Sequence, residues 1–299
     1  KHNRHGEERF ACIERDLPAK MKLLRLAIRM IKLIATDLDG TLLGDDKVVP
    51  EEIFGLAQAL KKLGILFVPA SGRSPYTLRE NFRPIADEID YICDNGAVAI
   101  AGGKTVLSNP VPRDVVLDVL EFCKSEDVHV LLCGTKTTYL APVEGTKYEP
   151  HVRPYYFRRM AFDELGEVPD DVNKIAICDM RNPKAGSFER LVKMLSGRAV
   201  ATVSGEIWMD VMQNGVNKGN ALEAIQKYYG ITGEETVAFG DFYNDIPLLK
   251  RAAYAYVMKN ANEDMFPHGN LVADSNNDGG VLKVLREIAA CGAEWKPNI

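Results

Sequence analysis

Long apolar runs are missing from this sequence. No stretch approaches the ~20 consecutive apolar residues of a bilayer-crossing helix, so the chain reads as soluble, with no membrane partner. Positive charge is not in excess either: 37 Lys and Arg stand against 42 Asp and Glu, a formal charge of −5. That balance argues against a general nucleic-acid binder, and it means that any anionic ligand needs cations placed locally. Cysteine is sparse and scattered: the six, at 11, 93, 123, 133, 178 and 291, form no Cys-x-x-Cys pair. They read as buried thiols in a reducing compartment, which makes a cytoplasmic location the expectation. Histidine offers no metal cluster, because His129 and His151 have no partner at ligand spacing and read as packing or surface residues.

What is present is an ordinary globular composition, 46% hydrophobic and 26% charged over 299 residues, enough for one large or two modest domains. Residues 1–29 differ from the rest. Lys1 to Arg9 is polar and basic, Leu17 to Met30 is a basic amphipathic stretch without a signal-peptide core, and Met30-Ile31-Lys32 reads as a start. This segment is expected to be an extension outside the fold; the alternative is a docked surface helix with Leu23, Leu24, Ala27 and Ile28 as its apolar side.

From residue 31 apolar runs alternate with helical patterns at long connections, which calls for a mostly parallel sheet. The run Ile31 to Thr36 ends in Asp37-Leu38-Asp39-Gly40-Thr41. Residues two apart in an extended segment point the same way, so Asp37 and Asp39 can face one reacting group and divide the work between a nucleophile and a general acid/base. Pro50-Glu51-Glu52 opens a helix whose buried side is expected at Leu56, Ala59, Leu60 and Leu63, with Gly64 ending it. Ile65 to Ala70 ends in Ser71-Gly72-Arg73 just before a helix begun by Ser74-Pro75, a favourable place for a phosphate oxygen.

Tyr91-Ile92-Cys93 is a further strand, broken by Asp94-Asn95-Gly96. A domain boundary is placed there: 30–96 and 213–299 form the core, and 97–212 form an inserted α/β unit that begins with a hairpin around Gly102-Gly103. The insert carries no catalytic constellation, and its basic cluster Arg153, Tyr155, Tyr156, Arg158 and Arg159 reads first as a solvated loop. After Asn214-Gly215 the helix from Asn217 carries Lys218 in its first turn, where the helix dipole prefers an acid; a lysine there points to an anion nearby. Thr236 to Gly240 then ends in Asp241, and Asp245 follows four residues later, one helical turn on.

Asp37, Ser71 and Asp241 each follow an apolar run, and the ends of parallel strands share one sheet edge, where open α/β sheets bind ligands. Several carboxylates gathered there need a hard divalent cation, and Mg²⁺ suits oxygen ligands.

Asp37-x-Asp39-Gly40-Thr41, Ser71-Gly72-Arg73, Lys218 before a helix and Gly240-Asp241-x-x-Asn244-Asp245 together resemble the four motifs of the haloacid dehalogenase (HAD) superfamily, in order and over the whole chain from residue 30. The insert between the second and third motifs resembles the C2-type cap of the Cof-like, class IIB branch. The resemblance implies a Rossmann-like α/β core with an inserted α/β cap, and a Mg²⁺-dependent phosphatase acting on a small phosphorylated metabolite, with a sugar phosphate as the expected substrate. It implies Asp37 as the nucleophile forming an aspartyl-phosphate, Asp39 as acid and base, and Ser71 and Lys218 on the phosphoryl oxygens. Metal ligation is implied for Asp37, the backbone carbonyl of Asp39 and Asp241, with Asp245 as a further ligand or as a group that orients the others. Phosphate or substrate contacts are implied for Leu38, Gly40, Thr41, Gly72 and Asn244, with Asn95 and Gly96, Arg153, Tyr155, Trp208 and Asp210 as candidates for specificity. A phosphomutase of the phosphomannomutase type and a non-catalytic sugar-phosphate sensor are the alternatives, and a monomer or homodimer is expected.

Overall fold

The computed structural model describes residues 30–153, 156, 158–204, 206–292 and 295–297; the expectations for residues 1–29 and for Tyr155 lie outside them. In chain order, β1 (Leu33–Thr36) leads through a turn-rich loop to α1 (Glu52–Lys62) and β2 (Leu66–Pro69), followed by α2 (Pro75–Asn81), β3 (Tyr91–Cys93), β4 (Val98–Ala101) and β5 (Lys104–Ser108). Next come α3 (Arg113–Lys124), β6 (His129–Gly134), β7 (Thr138–Leu140), α4 (Glu149–Val152), β8 (Arg159–Ala161), β9 (Val172–Cys178), α5 (Phe188–Leu195), β10 (Ala199–Val203) and β11 (Trp208–Gln213). The chain closes with α6 (Lys218–Tyr229), β12 (Thr236–Gly240), α7 (Ile246–Leu249), β13 (Tyr254–Met258), β14 (Leu271–Ala273) and α8 (Gly280–Cys291).

The central sheet has the order β14-β13-β12-β1-β2 and every pairing in it is parallel. Its strands read as near-continuous apolar runs because both faces are covered. On one face Ile34, Phe67, Val237 and Phe239 pack with Ile53 and Leu60 of α1 and Leu285 and Ile288 of α8. On the other, Leu33, Ala35, Val68 and Ala238 pack with Leu222 and Ile225 of α6 and Leu248 of α7. The register sets Thr36 opposite Phe239 on one side and Pro69 on the other, so the residues after β1, β2 and β12 leave the sheet at one edge.

Two sequence expectations change here. The buried side of α1 is Ile53, Ala57 and Leu60, an i, i+4, i+7 stripe, whereas Leu63 sits at the C-cap and is 44% exposed. The hairpin β4–β5, assigned with the insert by a boundary at residue 97, pairs with β3, and its Ala99 and Ala101 share the core of α6. Burial against α6, which the local pattern does not reveal, moves it to the central unit. The cysteines at 93, 123, 133 and 178 are buried and free as expected, while Cys291 is exposed at the end of α8.

The insert is a six-stranded sheet, β10-β11-β9-β6-β7-β8, antiparallel except for β7–β8. α3 and α5 cover one face through Val115, Val119, Leu191 and Leu195. The other face carries Leu131, Cys133, Tyr156 and Ala176, and Lys174 of β9 reaches from it to the carbonyl of Gly72 at 2.8 Å.

α6 and α7 approach closely at Gly219, where an added Cβ would lie 2.3 Å from the Pro247 carbonyl oxygen. Gly55 in α1 has nothing within 4 Å of the equivalent position. Gly219→Ala is therefore expected to lower unfolding stability by about 1–3 kcal/mol, and Gly55→Ala to raise it by about 0.5–1 kcal/mol. Urea midpoints measure both, and a Gly219→Ala protein as stable as the parent contradicts this packing.

Candidate active site

The carboxylate of Asp37 stands directly after β1, with its backbone N–H donating to the Phe239 carbonyl at 3.1 Å as the last rung of the ladder to β12. Lys218, in the first turn of α6, reaches it: the ammonium donates to Asp37 Oδ1 at 2.5 Å and to Asp245 Oδ1 at 2.6 Å, and Lys218 is 1% exposed. Asn217 caps α6 by accepting from the Asn220 N–H at 2.9 Å, which fixes where the helix starts and hence where Lys218 projects. Its unfavourable place on the helix dipole is thus matched by two buried anions.

Asp241 follows β12. Its Oδ1 accepts from the Thr41 hydroxyl at 2.8 Å. The other carboxylate, Asp245, accepts from the backbone N–H groups of Asp241 and Phe242 at 3.1 and 3.2 Å through Oδ2. One ligand oxygen from each of Asp37, Asp241 and Asp245 falls within 4.8 Å of the others. Gly40 makes room for this: its φ is +91°, and a Cβ there would lie 2.4 Å from Asp241 Oδ2. Its carbonyl accepts from Asn260 Nδ2 at 2.8 Å, and Asn276 Nδ2 holds the Leu43 carbonyl at 3.0 Å. These two asparagines fix the loop after Asp39; sequence reading missed them, since nothing local marks an asparagine that acts across more than 200 residues.

The side chain of Asp39 is 43% exposed. Arg73 Nη2 donates to both of its oxygens, at 3.0 and 3.2 Å, while Nη1 is anchored on Asn81 at 2.9 Å; the Lys47 ammonium lies 3.5 Å from Asp39. The sequence marks Arg73 only as part of a Ser-Gly-Arg triplet, and the structure adds its bridge between two strand ends. Ser71 is buried, and its hydroxyl oxygen accepts from the Arg73 N–H at 3.3 Å. Asn244 Nδ2 donates to Asn95 Oδ1 at 3.3 Å, and the Asn95 amide lies 3.2 Å from the Cβ position of Gly72. Asp37, Asp39, Thr41, Ser71, Gly72, Asn95, Lys218, Asp241, Asn244 and Asp245 thus gather at one sheet edge.

Other expected residues go elsewhere. The side chain of Leu38 is fully buried in the core, which leaves its backbone amide as the part expected at the site. Gly96, read as substrate-facing, is buried instead, with its Cβ position 2.2 Å from the Asn217 carbonyl oxygen, so it serves the close approach of α6. Arg153 lies 3.5 Å from Glu149 with its side chain 69% exposed, Trp208 rests against Tyr156 at 5.8 Å between ring centroids, and Asp210 is buried 3.5 Å from Lys174.

Three acids against one ammonium leave the pocket short of positive charge. Burial, with the neighbouring Asp245, pushes Asp37 up to about 7 although Lys218 pulls the other way. Burial and the charge of Asp37 push Asp241 to about 6. Asp245 is also raised by burial, against the pull of Lys218. For Lys218 burial alone acts downward, but Asp245 and Asp37 outweigh it and hold its pKa above the ordinary lysine value. An all-oxygen donor set with this charge deficit fits a hard divalent cation. Asp37 and Asp241 have oxygens left to bind one, whereas both oxygens of Asp245 are already engaged, which suits it to orienting Lys218 and the Asp241 backbone.

Comparison with known proteins agrees with the geometry. A family model described as haloacid dehalogenase-like hydrolase matches residues 34–285. A protein of Escherichia coli, 5-amino-6-(5-phospho-D-ribitylamino)uracil phosphatase YbjI, is 31% identical over 261 residues, covering 86% of this chain and 96% of the relative. The pyridoxal phosphate phosphatase YbhA of the same organism is 26% identical, covering 85% and 97%. Among solved structures, SMU.1108c from Streptococcus mutans superposes with a TM-score of 0.76 at 28% identity, covering 87% of this chain and 99% of that one.

The raised acids have a consequence for stability. The folded state holds a proton on Asp37 up to about pH 7 that the unfolded chain, with its ordinary value of 3.8, has already released. This contribution to stability is therefore complete below about pH 4 and lost as pH rises through 7. In divalent-free buffer the melting temperature of Asp37→Asn is expected to gain on that of the parent as pH is raised from about 5 to 8. A difference independent of pH contradicts the buried-acid arrangement.

Proposed function

The chain belongs to the haloacid dehalogenase-like hydrolases, and from that premise we propose that it is a Mg²⁺-dependent phosphatase hydrolysing a small phosphorylated metabolite, a sugar phosphate, through an aspartyl-phosphate. The observation that carries this reading is the buried Lys218 bridging Asp37 and Asp245, with Asp241 within 4.8 Å. It supplies a carboxylate nucleophile, a cation for phosphoryl oxygens and a hard-metal donor set in one place.

In this reading an Asp37 carboxylate oxygen attacks phosphorus, the ester P–O bond breaks, and the leaving oxygen takes a proton from Asp39. Asp39, now ionised, accepts a proton from a water that attacks the phosphoryl group, releasing inorganic phosphate and restoring Asp37. In the structure Arg73 donates to both oxygens of Asp39, the ionised form that acts as base in the second step; for the first step Asp39 carries a proton on the oxygen that turns from Arg73 to the leaving group. Lys218, Ser71 and Asn244 take the phosphoryl oxygens, as do the backbone amides of Leu38 and Gly72, since positioning and charge stabilisation dominate such transfers. Mg²⁺, held by Asp37, Asp241 and the backbone carbonyl of Asp39, would offset charge between carboxylate and phosphate and keep Asp37 ionised at neutral pH. Asp245 orients this set from behind.

The six-stranded insert is the natural cover over the site and the source of selectivity. At the rim, Phe242 and Tyr243 stand exposed next to Asp241 with ring centroids 4.9 Å apart, an apolar step on which a planar leaving group can lie. A phosphoribityl compound such as the substrate in the name of the Escherichia coli relative combines a sugar-alcohol phosphate with a planar ring and is the first candidate. The buried free thiols suit a reducing, cytoplasmic setting.

A panel of sugar phosphates, phosphoribityl compounds, nucleotides and pyridoxal phosphate, assayed for inorganic phosphate release with Mg²⁺, tests the reading. Activity is expected on at least one sugar or sugar-alcohol phosphate, lost on chelation and restored by Mg²⁺. Asp37→Asn is expected to lose at least about 10³-fold in kcat, and Asp39→Asn about 10²–10⁴-fold, most on poor alkyl leaving groups. An Asp37→Asn enzyme with parental turnover, or no release from any monoester, rejects the assignment.

A further inference from the structure

The strand β9 reads Val-Asn-Lys-Ile-Ala-Ile-Cys and is buried throughout, so Lys174, its third residue, is an ammonium placed where an apolar side chain is the ordinary choice. Burying a charge costs several kcal/mol unless hydrogen bonds and opposite charge offset it. The partners of Lys174 come from two units of the fold. Asp210 of β11, on the same insert sheet, lies 3.5 Å away. Asp94 of the central unit lies 3.9 Å away, fully buried, with neither carboxylate oxygen hydrogen-bonded. The direct hydrogen bond goes to the Gly72 carbonyl oxygen at 2.8 Å.

That carbonyl belongs to the loop carrying Ser71 and Arg73. Three successive carbonyls of the loop are each held by a donor: Ser71 by the Asn95 N–H at 3.0 Å, Gly72 by Lys174, and Arg73 by the Asp94 N–H at 2.9 Å. The first and third donors belong to the central unit; the middle one comes from the insert. The Gly72–Arg73 peptide is a single resonant plane, so a cation on its oxygen polarises the N–H at its other end. That N–H donates to the Ser71 hydroxyl oxygen at 3.3 Å, and the side chain of the same Arg73 grips Asp39.

We propose that Lys174 is a positioning residue: docked on the Gly72 carbonyl, it sets the Gly72–Arg73 peptide so that Ser71 and Asp39 are aligned only while the insert covers the site. The proposal rests on the reading of Ser71 and Asp39 given above. Other contacts hold the insert against α2 without reaching this peptide, namely the hydroxyl pair of Tyr76 and Thr138 and Arg158, 5.8 Å over the Tyr76 ring. Lys174 therefore does something that mere docking does not require.

The test compares Lys174→Met, Lys174→Arg and Thr138→Val, the last weakening docking away from the loop. Two readouts are taken: kcat and KM on p-nitrophenyl phosphate with Mg²⁺, and amide hydrogen exchange over residues 71–73. Lys174→Met is expected to lower kcat at least about tenfold, by misplacing reacting groups, with KM within about threefold. It is also expected to speed exchange across the loop, with Lys174→Arg recovering much of both and Thr138→Val changing neither beyond about threefold. Parental kcat and exchange in Lys174→Met overturn the proposal, and so does an equal loss in Thr138→Val. If the parent hydrolyses no monoester, the phosphatase reading fails, while unchanged or faster loop exchange in Lys174→Met still decides the tether. Should Lys174→Met not fold, Lys174→Gln carries the same comparison.

Discussion

Everything at the site depends on one buried ammonium. Lys218 is shared between Asp37, 181 residues earlier in the chain, and Asp245, 27 residues later. Acids this close repel one another, and burial removes the water that would otherwise screen them. The lysine offsets part of that repulsion, and the acids answer the rest by holding their protons to higher pH, so the stability of the fold and the charge of the site rest on the same groups. Removing one member of such a set leaves the others uncompensated, which is costlier than never having built it.

The scaffold makes this concentration of charge affordable. Parallel strands covered on both faces supply a rigid apolar base, and only their trailing ends carry polar groups. Each acid is held from behind by a backbone group, a hydroxyl or a cation: Asp241 by Thr41, Asp245 by two amides, Asp39 by Arg73. Groups fixed in this way need little rearrangement when charge moves between them.

Much of this was legible in the sequence, for identifiable reasons. Asp37, Ser71 and Asp241 announced themselves because each follows an apolar run, and Lys218 because a lysine in a first helical turn opposes the dipole. Arg73 was visible, but its grip on Asp39 was not, since that bridge depends on how two neighbouring strands are registered. Asn260 and Asn276 were silent for the same reason. Lys174 left a trace, one cation in an otherwise buried strand, but its meaning required knowing which face of the insert sheet meets the Ser71 loop. The boundary at residue 97 failed because a hairpin's pattern shows that it pairs, not what it packs against, and Leu63 failed because the apolar stripe of α1 begins at Ile53 rather than Leu56.

The turn Asp94-Asn95-Gly96 has a consequence of its own. Its three residues all hold left-handed backbone, with φ of +48°, +56° and +100°, which costs a non-glycine residue about 1–2 kcal/mol. Asp, Asn and Gly tolerate this shape better than other residues, and three in succession are held in it by what the turn touches: the Ser71 and Arg73 carbonyls, the start of α6 and Asn244. One corner of three residues is thus the common keystone of the Ser71 loop, the lysine helix and the final acidic segment. An alteration there would be felt by all three together.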